Sequence, residues 1–232
     1  MEKKPLSIER KTLGETIYNE IRNKIISLEI KPGEMIFENN IAAEYGVSRT
    51  PVRQAFYILA QEELIKILPQ RGARIAYLSI EKVNEAQFIR ESLEVSIFEK
   101  VAEMWDRTNK SYAEAEEKIL AIIESQKDSI KNKDYIRFIY LDEEFHNSII
   151  ETSKNRTLLM VVNNMRAHLN RIRFLELQEA NYEKQAILEH EEIFQAIIKN
   201  DVITTGKLLK NHLKVLETFR MEIFEKHKDL FK

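Results

Sequence analysis

Gly46-Val47-Ser48-Arg49-Thr50-Pro51-Val52-Arg53-Gln54-Ala55-Phe56 decides how the first third of the chain is read. Ser48 suits a helix N-cap, where its hydroxyl accepts from a free backbone N–H. Pro51 falls in the first turn, where its missing N–H costs nothing. Val52, Ala55, Phe56 and Leu59 follow at helical spacing and give one apolar face. Arg49, Thr50 and Arg53 fall on the other side, near the helix start. Two arginines and a hydroxyl at the exposed start of a helix, after a tight turn, are the build of a recognition helix.

Upstream, Leu13, Ile17, Ile21 and Ile25 recur every four residues and predict an amphipathic helix over 12–28. Lys31-Pro32-Gly33 turns the chain, and Ile36, Ile41, Ala42 and Tyr45 suggest a short helix over 38–45. Gly46 suits the left-handed position that ends it. The Ser48 helix runs to about Glu62, which completes a helix-turn-helix. Downstream, Leu64–Leu68 reads as a strand, Pro69-Gln70-Arg71-Gly72 as a turn, and Ala73–Tyr77 as the return strand. This hairpin is a wing whose tip carries Arg71 and Gly72. A lone surface arginine is usually just solvated. Joined to the turn, the cap and a basic wing tip, Arg49 and Arg53 read as DNA-binding. Arginine reaches guanine N7 and O6 bidentately, and a helix N-terminus favours phosphate.

Composition bounds the rest. The 232 residues, 44% hydrophobic and 32% charged, suit two modest domains or one large one. No cysteine is present, which excludes disulfides and thiolate metal sites and fits a reducing cytoplasm. No apolar run approaches the length of a membrane span. Met1–Ser7 lacks the apolar stretch of a signal peptide. The net charge of −2 argues against a nonspecific nucleic-acid coat, although residues 1–77 carry +2 and residues 78–232 carry −4. The boundary is placed there: a winged helix-turn-helix over 1–77, then an all-helical domain over 78–232. The fold class is mainly α.

Ser79 suits the cap of the first helix after the boundary. Helical patterns follow at roughly 80–105, 111–131, 134–152, 155–177, 180–199 and 201–226, six helices in an antiparallel bundle. Three histidines lie in apolar stripes of different helices. His146 sits one turn after Asp142, His190 in line with Ala186, Ile193, Phe194 and Ile197, and His212 among Leu208, Leu209, Leu213 and Leu216. A single such histidine is most often a hydrogen-bonded core residue. Burying several unpaired titratable groups is costly, and one divalent cation would satisfy all four. One carboxylate with three imidazoles suits Zn, Ni, Mn or Fe. Trp105, near a helix end, reads as a packing anchor.

The chain resembles the GntR family of bacterial transcription regulators. The words that carry this are Ile30-Lys31-Pro32-Gly33-Glu34, Glu38 with Ile41-Ala42, Gly46 through Arg53, and Pro69-Gln70-Arg71-Gly72. The resemblance implies operator contacts from Arg49, Arg53 and Gly72, with Ser48 and Thr50 on phosphates. Gln54, Glu63 and Asn39 depart from the family pattern. Asp142-Glu143-Glu144-Phe145-His146, Glu189-His190 and Asn211-His212-Leu213 resemble the metal motifs of the FCD effector domain of the FadR subfamily. Six helices resemble its VanR-like branch. The resemblance implies Asp142, His146, His190 and His212 as ligands of a divalent transition metal. It further implies a cavity in which a small organic acid completes the metal shell. Arg90 and Arg173, beside apolar stripes, are candidates to hold that acid, with a surface salt bridge as the rival reading. His168 matches no ligand and reads as a core or cavity-lining residue. The function implied is a cytoplasmic, ligand-responsive regulator, a repressor, that binds an inverted-repeat operator as a homodimer. The rivals are a metal-dependent hydrolase or lyase fused to a DNA-binding module, and a sensor of the metal itself.

Overall fold

The computed structural model describes residues 12–180 and 182–232, apart from the side chains of Ala180, Leu216 and Thr218. The Met1–Ser7 stretch and the Leu216 position of the His212 stripe thus lie outside the description. The chain divides into two compact units, Met1–Ala76 and Tyr77–Lys232.

In the first unit, α1 (Leu13–Ile26) starts with a reciprocal cap: the Glu15 amide donates to the Thr12 hydroxyl, and the Thr12 amide to the Glu15 carboxylate. Its Ile17, Ile21 and Ile25 are buried, and α1 packs on α3 (Arg49–Gln61). Between them come β1 (Met35–Ile36) and α2 (Glu38–Glu44). Gly46 takes the left-handed conformation, φ +63°, in the turn from α2 to α3. Ser48 is the extended N-cap of α3, but its hydroxyl makes no capping bond. An N-cap oxygen accepts from the second or third helical residue, so only the Thr50 N–H is open to it. The third here is Pro51, which has no N–H.

The wing is β2 (Ile65–Leu68) and β3 (Gly72–Ile75), with Leu68 opposite Gly72 and Ile65 opposite Ile75. The return strand begins one residue earlier and ends two earlier than the alternation suggests. The short β1, not foreseen, pairs antiparallel with β3, so the described sheet has the order β1-β3-β2. Two residues are too few to show a period. What holds β1 is long-range: Ile75 N–H donates to Glu34 O, and Gly33 N–H to Ile75 O, both at 2.9 Å. Gly72 has φ +86°, and a Cβ there would stand 2.6 Å from Ile36 O and 2.8 Å from a Phe37 ring carbon. The sheet therefore needs this glycine whether or not DNA approaches it.

The second unit is built from α4 (Ile80–Met104), α5 (Lys110–Lys131), α6 (Tyr135–Thr152), α7 (Arg156–Ala180), α8 (Glu183–Ile198) and α9 (Val202–Lys226). These are the six helices read from the sequence, with ends displaced by a few residues at most. Ser79, Asn109 and Asp134 each cap a helix by accepting from an amide two or three residues on. Asn200, at φ 56°, donates to Ala102 O and Trp105 O and ties the α8–α9 turn to the end of α4. Trp105 is buried against Tyr112 and Phe194, an anchor as expected. Helix α4 is central, packing on α6, α7, α8 and α9. A short 3-10 turn, Lys228–Leu230, brings the C-terminus back, and Leu78 N–H donates to Leu230 O.

Candidate functional site

Two sets of side chains carry chemistry. In the first unit, Ser48, Arg49, Thr50, Arg53 and Arg71 are all exposed and Gly72 is half-buried. Arg49 and Arg53, one turn apart on α3, converge on Glu38 at the start of α2. Their terminal nitrogens reach Glu38 Oε2 at 2.9 and 3.1 Å. The hydrogen bonds from Arg53 and then Arg49 hold the Glu38 carboxyl below its usual range, against its partial burial. Glu38 was legible only as part of a family word; its grip on both arginines was not. Gln54 covers Gly14 of α1, where a Cβ would lie 3.1 Å from Gln54 Oε1, so this departure from the family pattern serves packing between α1 and α3.

In the second unit, Asp142 and His146 (α6), His190 (α8) and His212 (α9) are buried together. One potential ligand atom from each lies within 4.8 Å of all the others. Spacing explains the α6 pair, since residues four apart share a face. Each imidazole is oriented by a different neighbour. His146 Nδ1 lies 2.6 Å from Glu94 Oε2 of α4. His190 Nδ1 lies 3.0 Å from Gln126 Oε1 of α5. His212 Nδ1 lies 2.8 Å from Glu189 Oε2, which also accepts from the Tyr182 hydroxyl. Each Nδ1 faces an oxygen that can accept its proton, which leaves each Nε2 edge to face the other three residues.

Those Nε2 edges meet. His190 Nε2 lies 3.2 Å from His212 Nε2 and 3.4 Å from Asp142 Oδ1. His146 Nε2 has no hydrogen-bond partner among the described residues. Burial pushes His146 down to about 3 and His190 to about 4, so both rings are neutral. Burial opposes ionisation of Asp142, yet Arg173 above all holds its carboxyl well below the usual range. Two ring nitrogens and a carboxylate oxygen thus converge on one buried point. With the Nε2 protons off, these are ligand atoms for a cation. The residues present therefore fit a metal of the borderline class, in which nitrogen ligands outnumber oxygen.

Arg90 and Arg173 are buried, which removes the surface-salt-bridge reading. Arg90 Nε donates to Glu94 Oε1 at 2.5 Å, and Arg173 Nη2 lies 2.7 Å from Asp142 Oδ2. His168, by contrast, is only half-buried and has the charges of Lys82 and Arg171 nearby, outside the four-residue cluster. It is not a core residue. Glu94, Gln126, Glu189 and Arg166 were not read from sequence as site residues. One signal was available: Arg90 and Glu94 put an i, i+4 charge pair inside the buried stripe Ala86, Ile97, Phe98 and Val101.

A winged helix-turn-helix with paired arginines, followed by a helical unit with a buried histidine cluster, defines a regulator of the helix-turn-helix class. Residues 13–75 match the bacterial regulatory proteins of the gntR family, and residues 85–215 match the FCD domain. The gluconate operon transcriptional repressor of Bacillus licheniformis is 32% identical over 83% of this chain and 78% of its own length. The HTH-type transcriptional repressor RspR of Escherichia coli is 26% identical over 94% of this chain and 93% of its own. The structure of E. coli McbR/YncC superposes with a TM-score of 0.75 at 17% identity, covering 93% of this chain and all of that one. The protein belongs to the GntR family and is a transcriptional regulator with an FCD domain. Its relatives are regulators, not enzymes. Among the described residues, no helix is long and apolar enough to cross a membrane.

Proposed function

We propose that the protein is a cytoplasmic repressor of the FadR subfamily, in its VanR-like branch. It binds an inverted-repeat operator as a homodimer and is controlled by a small carboxylate at a metal centre. In this reading residues 1–77 are the DNA-binding domain and residues 78–232 the effector and dimerisation domain. Each winged helix reads one half-site. Arg49 and Arg53 meet base edges or phosphates, Ser48 and Thr50 meet phosphates, and Arg71 and Gly72 carry the wing to the groove. The unspent Ser48 hydroxyl supports its place in that set.

Asp142, His146, His190 and His212 would hold a divalent ion, Zn, Ni, Mn or Fe, which supplies a Lewis-acidic anchor for a carboxylate. Glu94, Gln126 and Glu189 keep the three Nε2 lone pairs turned inward. Arg90 and Arg173 flank Asp142 and meet the acid. The observation that carries this reading is the convergence of three oriented imidazoles on one buried carboxylate. Two relatives named as gluconate operon repressors support an acid as the signal. The acid must bind two arrangements of the dimer unequally, or nothing is switched.

The test is footprinting of metal-loaded protein on an operator selected from random duplexes, with and without a panel of small organic acids. At least one acid should release the operator while the metal stays bound. Control by adding and stripping metal alone, with no acid effective, would make the metal itself the signal. Elemental analysis should find about one divalent ion per chain, lost in His190→Ala; full metal content in that variant would remove His190 from the ligand set.

A further inference from the structure

The buried surroundings of the histidines hold more positive charge than the proposed ligands use. Arg166, on α7, is fully buried. Its Nη1 has three uncharged acceptors within reach for its two protons: Glu143 O at 3.1 Å, Asn147 Oδ1 at 2.7 Å and Asn163 Oδ1 at 3.0 Å. Its Nη2 lies 3.6 Å from Glu94 Oε1, the oxygen that Arg90 already occupies at 2.5 Å. Arg90 Nη2 stands 4.0 Å from Asp142 Oδ2, the oxygen that Arg173 approaches at 2.7 Å. Three guanidiniums thus crowd two carboxylates, and both carboxylates belong to the histidine centre.

The consequence is a set of idle donors. Arg90 Nη2, Arg166 Nε and Nη2, and Arg173 Nε and Nη1 have no hydrogen-bond partner among the described residues. All five belong to cations, and buried uncompensated charge is strongly destabilising. Glu143, half-buried, accepts from Asn170 at 2.6 Å and adds one further negative charge. Glu176 does not complete the balance. Burial pushes its carboxyl up to about 7, and the foremost opposing charge on it is Arg220 of α9. With a divalent ion on the histidines, and Glu189 at His212 counted beside Glu94, Asp142 and Glu143, an excess of about one positive charge is left, and the five idle donors remain unmet.

We infer that the effector is a small acid carrying at least two anionic groups, one on the metal and the other on the guanidiniums of Arg166, Arg90 and Arg173. This deepens the proposed acid-binding function and rests on it. A single carboxylate that shares its oxygens with a metal has too few lone pairs left for five donors. A second anionic group supplies them, and guanidinium binds carboxylate and phosphate alike through paired N–H groups. Arg166 is therefore a specificity-determining residue that reads the second charge.

Three acids on one six-carbon hydroxylated chain separate the outcomes: gluconate with one carboxylate, glucarate with two, and 6-phosphogluconate with a carboxylate and a phosphate. Each is titrated calorimetrically into the full-length zinc-loaded protein, with metal content checked afterwards. At least one of the two doubly charged acids should bind about 30-fold more tightly than gluconate. Preference for glucarate assigns a carboxylate as the second group, and preference for 6-phosphogluconate assigns a phosphate. Arg166→Met should reduce the preference to within about threefold; if that chain does not fold, Arg173→Gln serves the same comparison. Gluconate binding as tightly as either partner overturns the double charge and leaves the acid-responsive reading standing. No binding by any of the three overturns the double charge on this chain, while the acid-responsive reading itself falls only if no acid of the wider panel releases the operator.

Discussion

The two units use the same device in opposite surroundings. In the first, Glu38 holds Arg49 and Arg53 with side chains 22%, 57% and 51% exposed. In the second, Glu94 holds Arg90 and lies near Arg166, with side chains 0%, 3% and 1% exposed. Both carboxyls are held below their usual range by guanidiniums. Water decides what each arrangement is worth. An exposed pair is screened, contributes little and is readily exchanged for another anion. A buried pair is hard to exchange, because removing one partner strands a charge in low dielectric. The exposed set is therefore suited to letting go of Glu38 and taking up DNA. The buried set is suited to waiting for a ligand that completes it.

The largest expected effect is on DNA. Arg49→Ala combined with Arg53→Ala should weaken operator binding at least about 100-fold, measured by fluorescence anisotropy. Both side chains are exposed, so the thermal midpoint should barely move. A double variant that still protects the same operator would show that the exposed set is not the reading head.

Glu94→Ala comes next and breaks the comparison from the buried side. It strands Arg90, Arg166 and the His146 Nδ1 proton, and unfolding free energy should fall by about 3–5 kcal/mol. Denaturant titration of the metal-free protein measures this. A loss below about 1 kcal/mol would place Glu94 with Glu38 as a screened pair. Zinc affinity should also fall about 10–100-fold, because His146 loses its orienting partner.

Glu176 tests burial through pH. Its folded carboxyl is raised to about 7 from an ordinary 4.5, chiefly by burial. Between those values the folded state holds a proton that the unfolded state has released, so stability falls as pH rises through this window. Glu176→Gln removes that loss. It should exceed the wild type by about 1–3 kcal/mol at pH 8, and the advantage should vanish below about pH 4.5. An advantage independent of pH would mean that the side chain is not titrating there.

How far sequence reached depends on how local each cause is. The recognition helix, the wing turn and six helix boundaries follow from caps, prolines and apolar periods within one element. The α6 pair Asp142 and His146 is local too, and His190 and His212 show as polar residues in apolar stripes. What orients them is not local. Gln126 lies 64 residues from His190 and on another helix, and Glu94 reaches His146 from α4. Strand β1 exists only because β3 returns beside it. Arg166 follows Asn163, Asn164 and Met165, where no apolar period includes it and marks it as buried. Part of the Ser48 outcome was local and in plain view: the proline three residues on removes one of the two usual donors to its hydroxyl.

Glu38 carries the smallest effect on stability and the sharpest test of exchange. Glu38→Gln keeps the size and one acceptor but removes the charge that draws Arg49 and Arg53 together. The pair is exposed, so the melting temperature should shift by less than about 2 °C. DNA binding should change in two directions at once. Losing a negative charge near the phosphate backbone raises nonspecific affinity, most visibly at low salt. Freed from their shared partner, the two arginines lose their fixed spacing, so preference for operator over random duplex should fall. The quantity to measure is the ratio of the two dissociation constants across a salt series. A ratio that falls while nonspecific binding rises makes Glu38 the positioning partner of the recognition arginines. An unchanged ratio makes it a bystander that happens to lie within reach of both.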